Sequence, residues 1–451
     1  MHYRLEATKW IFAAQSWLSA PFEKARLHTS SLQLQCLVML ARQDHSIAGD
    51  LVWTSIGQLL RIAIQMGYHR DPRLLPNMST MQAEIRRRLW ATILELNLQS
   101  AVDSGMPLMI SLDDFDTQPP ANIDDADISD NTTGAVRSKC SSVFTQCSIQ
   151  IALLKSFPIR LEVVRFSNSL RNEPSYEDVL RVGMELSKAC KENETFIANV
   201  NKALPVASQV SQCNINLSDL AIRRFLLLVH RPFAAKGLKD PHYYFSRKVC
   251  LDTAIKLLRY PCSKYPTSDE MPINLPLDDF AQLKKVGGGF FKSLIVHVAM
   301  VIFSELYTQV DEESTVAEHD KTTRDFLKQN LRDIIDLAAE RITVGENNVK
   351  GHLFMSVVLA QLEAMETGVD CERAVLDAAA KSADLCHDLL VSRITAGMNV
   401  PSEGSMNDAL DFGGTAVQDF GMDFNMQDWV DQESRDAWFK SGFEDGVWWQ
   451  F

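Results

Sequence analysis

Two groups of aspartates carry the densest charge pattern in the body of the chain: Asp113, Asp114 and Asp116, then Asp124, Asp125 and Asp127. Carboxylate clusters set on helix walls around an apolar cavity hold magnesium, and through it a diphosphate, because magnesium binds a few carboxylates together with substrate phosphates. Here Pro119 and Pro120 stand between the two groups, and the flanking residues read as loop. No second Asn/Ser/Glu metal motif follows downstream. A solvated acidic loop, its charges pairing with the arginines at 86–88, is the simpler expectation.

The other chemical signals are weaker. Gly287-Gly288-Gly289-Phe290-Phe291-Lys292-Ser293 approaches a phosphate-binding loop, but Phe291 replaces the glycine needed before the lysine. The stretch reads as a flexible entry to the apolar helix after it. No G-x-S-x-G, H-E-x-x-H or G-x-G-x-x-G occurs, so no catalytic residue is named. His69 and His230 each precede an arginine, Arg70 and Arg231. Single histidines of this kind read as helix-end or packing residues. The nine cysteines contain no C-x-x-C pair. Structural zinc wants four ligands, so no metal or other cofactor is expected in this chain. The odd count and scattered spacing fit free thiols in a reducing compartment.

The elements that carry these residues read as helices throughout. Val52, Ile56, Leu59, Leu60, Ala63 and Ile64 fall close to one helical face over 51–66. Gly67 suits the left-handed position that ends a helix, and Pro72 and Pro76 prevent continuation. Ser79 with Gln82 predicts a capping box. Ile85, Leu89, Ile93 and Leu96 follow at helical spacing, with Trp90 and Leu94 widening the apolar face, until Gly105 and Pro107 close the segment. Further helices are predicted over 143–166, 176–200, 220–230 (stopping at Pro232), 246–258, 290–306, 326–342, 352–365 and 373–394. Residues 111–133 and 261–280 read as loops. Strand signals are weak. The expectation is an all-α, multi-helix array forming one regulatory domain over 1–395, followed by a largely disordered linker and tail over 396–451.

Charge separates these two parts. The net charge of the chain is -13, yet residues 401–451 hold eleven acids against two bases. Nothing supplies a basic, phosphate-neutralising module, so the chain alone is expected not to bind DNA directly. The longest apolar run, Leu294–Phe303, falls short of the roughly 20 residues of a bilayer span, and no membrane association is expected. Four of the eight tryptophans lie in the tail. There Trp429, Trp438, Phe439, Phe443, Trp448 and Trp449 are kept solvated by neighbouring acids, which suits an activation segment that offers aromatics to a coactivator groove.

Two ordered blocks resemble the middle homology region of fungal zinc-cluster transcription factors. The first is Gly67-Tyr68-His69-Arg70-Asp71, then Arg86-Arg87-Arg88-Leu89-Trp90, Gly105-Met106-Pro107 and Asp113-Asp114-Phe115-Asp116. The second is Phe225 to Phe233, ending His230-Arg231-Pro232-Phe233, followed by Ser246-x-x-x-Cys250. The resemblance implies a helical regulatory domain in a fungal nucleus, followed by an activation segment. It also implies a DNA-binding zinc cluster, and zinc, ahead of the helical region. The chain opens at Met1 already within that region and shows no six-cysteine cluster. The expected partners are therefore transcriptional coactivators or a DNA-binding partner, with a small-molecule effector as a further expectation. Gly67, His69, Arg70, Asp71, Arg87, Arg88, Trp90, Gly105, Pro107, Asp114, His230, Arg231 and Pro232 are expected to maintain the fold. A co-regulator acting through a partner is the nearer alternative. An α-helical magnesium-dependent isoprenoid synthase is the alternative of another class.

Overall fold

The computed structural model describes residues 2–398 apart from 20–26, 46, 48–50, 76–77, 130–131, 133, 135, 170, 172–173, 204–209, 261–278 and 312–319. Among the described residues there are thirteen α-helices and no β-strand. They are α1 His2–Ser19, α2 Thr29–Asp44, α3 Val52–Gln65, α4 Thr80–Asp103, α5 Ser148–Ser167, α6 Tyr176–Ala203 and α7 Gln212–Lys236. Then come α8 Tyr244–Leu258, α9 Asp279–Val286, α10 Phe290–Asp311, α11 Asp320–Val344, α12 Lys350–Thr367 and α13 Cys371–Met398. The acidic-aromatic tail, with Trp429, Trp438, Phe439, Phe443, Trp448 and Trp449, lies outside the described residues.

Packing divides the chain into two units. One covers Glu6–Ile302; the other combines Met1–Leu5 with Phe303 onward. In the first unit one core runs through α3 to α7, built on Leu59, Leu60, Trp90, Ile93, Phe157, Leu161, Val182, Leu186, Phe225 and Leu226. A smaller cluster joins Val38 and Met39 of α2 to Val52 and Ile56 of α3. The second unit packs α11, α12 and α13 together, burying Leu327, Leu331, Ile334, Val358 and Leu362.

Local sequence accounts for several boundaries. Ser79 and Gln82 form the reciprocal capping box, with Gln82 N–H on Ser79 Oγ at 3.2 Å and Ser79 N–H on Gln82 Oε1 at 3.3 Å. At Gly67 the chain turns left-handed (φ 73°). Tyr68 N–H returns to the Ala63 carbonyl and Gly67 N–H to the Ile64 carbonyl, both at 2.9 Å, the pair of hydrogen bonds of a Schellman ending. Gly105 (φ 59°) ends α4 in the same way.

Four expectations are corrected. Helix α7 does not stop at Pro232 but runs on to Lys236. Proline removes one hydrogen bond there, and burial of Val229, His230, Phe233 and Ala234 on both sides outweighs the loss. The connection expected over 261–280 ends early: Asp279 and Phe280 already belong to α9, which runs to Val286 and buries Phe280. The glycine run at 287–289 is a close contact and not a flexible entry. Gly288 N–H donates to Asp44 at 3.2 Å, and a Cβ there would lie 1.9 Å from the Gln43 carbonyl oxygen. The helix expected from 143 begins only at Ser148, after the turns over 141–147, and most other helices extend a few residues beyond their periodic cores. One of them, over Phe291–Val310, is long and apolar enough to cross a membrane, and more than half of it is buried within the protein.

Candidate functional site

The first motif block folds into one ion-pair hub. Asp71 follows the turn that closes α3, and its side chain is buried. It accepts Arg87 Nη2 at 3.0 Å and Nε at 3.2 Å, Arg73 Nε at 2.9 Å and the amides of Arg73 and Gln118, each at 3.0 Å. Glu84, one turn earlier on α4, is also buried. It takes Arg88 at 3.3 Å and the Ala121 amide at 3.0 Å. Arg88 reaches out of the hub to Asp125 at 2.5 Å. Arg86 lies over the Tyr68 ring, 3.9 Å from its centroid, and donates to the Met66 carbonyl at 2.9 Å. The three consecutive arginines thus serve three different partners, as their angular spread on a helix requires.

This hub fixes the acidic loop to α3 and α4. Asp116 accepts the Asp71 amide at 2.7 Å and pairs with Arg70 at 3.1 Å, while its own amide donates to the His69 carbonyl at 2.9 Å. His69 Nδ1 is buried with no partner among the described residues. Thr117 Oγ1 donates to the Tyr68 carbonyl at 2.7 Å. Phe115 follows the loop inward and meets Trp90 edge-on, centroids 5.7 Å apart. Pro107 offers its carbonyl to the Trp53 indole at 3.2 Å. The two aspartate groups sit on short exposed 3-10 turns, not on cavity walls. Asp114 caps the Ser111 amide at 2.6 Å, and Asp124 and Asp127 share Lys139 at 2.7 and 2.6 Å. Among the described residues no group of three or more His, Cys, Asp or Glu side chains is placed to hold a metal ion.

The two hub carboxylates titrate in opposite senses. Burial alone would raise Asp71, but Arg87, the Gln118 and Arg73 amides and the Arg73 side chain outweigh it and hold the carboxyl well below the usual carboxylate range. Burial wins at Glu84 and raises its pKa, despite Arg88, the Ala121 amide and Arg87. A lowered carboxyl contributes stability that is present above its unfolded pKa of about 3.9 and is lost as pH falls through the folded value. The raised Glu84 contributes in the reverse sense, fully below its unfolded pKa and less as pH rises through the folded one. Asp71→Asn should therefore lower stability at neutral pH and flatten the acid limb of a urea-midpoint profile. A variant profile running parallel to the parent down to about pH 2 would separate Asp71 from the acid transition.

The second block forms a buried polar contact between α6, α7 and α8. His230 lies inside α7, not at its end, and is 1% exposed. Burial pulls its pKa to about 4, so the ring is neutral. Its Nδ1 meets Ser246 Oγ at 2.9 Å, and Ser246 donates to the Tyr176 hydroxyl at 3.3 Å. Burial also lowers the next residue, Arg231, to about 10, and pushes the Cys250 thiol to about 12. Gly183 of α6 faces this ring, and a Cβ there would come 2.2 Å from His230 Nε2. Gly183→Ala should cost about 1–3 kcal/mol by overpacking. Urea unfolding of Gly183→Ala/His230→Ala should then show less than the summed loss of the two single variants. Strict additivity would mean that the ring is not what confines residue 183.

These two blocks sit in a chain with clear relatives. A family model described as the fungal specific transcription factor domain matches residues 2–197. The chain is 35% identical over 447 residues to transcription factor lepE of Aspergillus flavus, covering 92% of this chain and 52% of lepE. It is 36% identical over 442 residues to transcription factor opdR of Penicillium oxalicum, covering 94% and 54%. The aspyridones cluster regulator apdR of Emericella nidulans is 29% identical over 395 residues, covering 86% and 52%. Residues 2–197 thus match the fungal specific transcription factor domain, and nearly the whole chain is similar to proteins named fungal transcription factors. It spans about half the length of the curated relatives it matches. No solved structure matches it.

A further polar network joins α4, α5 and α7, and local sequence rules did not reveal it. Arg160, inside α5, is fully buried and grips Glu95 of α4 through two bonds of 2.7 and 2.8 Å. It also donates to the Leu153 carbonyl at 2.7 Å and, through Nε, to Ser156 at 3.1 Å. Gln99 links Glu95 to Arg224 of α7, at 2.7 and 2.9 Å, and Arg224 pairs with Asp103. Burial opposes the Glu95 charge; Arg160, Gln99 and Arg224 outweigh it and lower its pKa. The available signal was the spacing Glu95, Gln99, Asp103, one stripe at i, i+4, i+8, together with single arginines inside apolar helices. The isoprenoid-synthase alternative finds no support: Asp116, Asp124, Asp125 and Asp127 pair with Arg70, Lys139 and Arg88, Asp114 caps the Ser111 amide, and the relatives carry names of transcription factors.

Proposed function

We propose that this chain is the regulatory and activation portion of a fungal nuclear transcription regulator. The observation that carries this reading is the alignment, over more than nine-tenths of the chain, with proteins named transcription factors. The helical body then serves as a scaffold whose polar contacts are internal and structural, with no residue assigned a catalytic role. Contact with DNA comes through a zinc cluster or a partner carried elsewhere, because the chain is strongly acidic as a whole. The tail supplies the output. Its acids and tryptophans suit a segment that is solvated alone and orders on a coactivator groove.

Fusion of the whole chain to an unrelated DNA-binding domain tests this in a fungal reporter strain. Reporter activity should appear, and should fall to background when Trp429, Trp438, Trp448 and Trp449 become alanine with every acid retained. A well-expressed fusion that leaves the reporter silent would remove the activation reading. A quadruple variant as active as the parent would remove the aromatic mechanism.

A further inference from the structure

A cleft of about 820 Å³ opens in the Glu6–Ile302 unit between α5, α6 and residues Pro120, Asn122, Ser138, Lys139 and Ser141. Its walls have two characters. Ile151, Ala152, Pro158, Ile159, Ala189 and Phe196 supply apolar surface. Of these, Ile159 and Ala189 also pack against the main core. The rim carries lysines. Lys155 and Lys188 both turn to one carboxylate, Glu192, at 2.6 and 4.0 Å, so two ammonium groups share a single counter-charge. Lys139 and Glu185, also in the lining, are answered elsewhere, by Asp124 and Asp127 and by Arg181, so the surplus positive charge is that of Lys155 and Lys188 against Glu192.

The volume falls in the range of small-molecule sites, roughly 300–1,000 Å³, which combine apolar walls with a few placed polar groups.

We propose that this cleft binds a small amphipathic organic acid. Its carboxylate completes the pairing of Lys155 and Lys188, and its apolar body covers Ile151, Ile159 and Phe196. A cationic amphiphile would face two lysines at the rim, and a neutral one would leave their surplus charge unanswered. Occupancy reaches the motif hub by covalent continuity. Pro120 and Asn122 line the cleft, and the same loop is held by Asp71 through the Gln118 amide and by Glu84 through the Ala121 amide. The binding step is independent of the regulatory reading; only its consequence for transcription rests on that reading.

Octanoate and its uncharged near-isostere octanamide test the proposal on the full chain by titration calorimetry. Octanoate should saturate one site and bind about tenfold or more tightly than octanamide. Lys155→Ala/Lys188→Ala, at two exposed positions, should erase that preference while leaving the melting curve unchanged. Ala152→Trp, which fills the cleft, should abolish binding of both probes. Should that variant misfold, Ile151→Asp, which places a like charge against the apolar body of the ligand, serves the same purpose. Equal binding of the two probes, or an octanoate preference that survives loss of both lysines, would overturn the proposal. So would the absence of saturation up to roughly 10 mM, a limit corresponding to binding weaker than about 3 kcal/mol.

Discussion

Arg160→Ala should destabilise the Glu6–Ile302 unit by up to about 3–5 kcal/mol, the cost of removing one partner from a buried ion pair, less the relief that Glu95, 21% exposed, draws from solvent. The loss has two sources. Glu95 keeps its charge in a site that burial disfavours, and the Leu153 carbonyl and Ser156 lose their donor. The guanidinium also packs over the Phe225 ring, 5.4 Å from its centroid, so truncation opens space against α7. Charge and shape can be told apart. Arg160→Met retains most of the volume but strands Glu95. Adding Glu95→Gln removes the stranded charge and should recover a large part of the loss, giving a coupling of opposite sign to the single effects. Urea midpoints of the parent, Arg160→Ala, Arg160→Met, Glu95→Gln and the double variant, with hydrogen exchange of the α4 and α5 amides as the local readout, provide the measurement. An Arg160→Ala midpoint within about 0.5 kcal/mol of the parent would show that the pair is solvated and replaceable.

That network also shows where sequence reasoning ends. Local rules had the information they needed at Ser79, Gln82 and Gly67, where the partners stand within four residues. The pairing of Arg88 with the acidic loop was legible in kind, since a helix presenting three arginines needs carboxylates and the loop is the nearest supply. Its partner for Arg87 was not. Asp71 was named for its place in a motif, but its seat under Arg87, sixteen positions away in the chain, depends on the Schellman turn, the following 3-10 turn and the entry of α4 acting together. Pro232 fails for a related reason. A proline is a local break, while the burial that carries α7 past it comes from Tyr176 of α6 and from Tyr243, just before α8, on which no local rule bears. The His230 contact lies deeper still. Ser246 and Cys250 are spaced one helical turn apart and both face inward, yet only the placement of α8 against α7 makes the serine a partner for the ring.

Trp90→Ala should cost about 3–5 kcal/mol, the range for a large aromatic removed from a core. The ring is 2% exposed, lies among Leu89, Ile93 and Leu94 in the main core and meets Phe115 edge-on. Phe115 in turn meets Phe157 of α5, centroids 6.4 Å apart, so the three rings tie the acidic loop to two helices. Truncation at 90 therefore does more than open a cavity. It removes the surface on which Phe115 seats the loop, and the Asp116 and Gln118 contacts to Asp71 depend on that seat. The Trp90 indole N–H has no partner among the described residues, so Trp90→Phe loses ring volume but no hydrogen bond. It should stay within about 1.5 kcal/mol of the parent, because relieving a buried unpaired donor, worth roughly 1–3 kcal/mol, offsets part of the lost packing. Urea unfolding separates these cases. The expected order is parent, Trp90→Phe and then, well below, Trp90→Ala, with amide exchange in the 115–121 loop rising only in the alanine variant. A Trp90→Phe protein as weak as Trp90→Ala would mean that the indole N–H is bonded after all, and that the site is held by that bond and not by the packed rings.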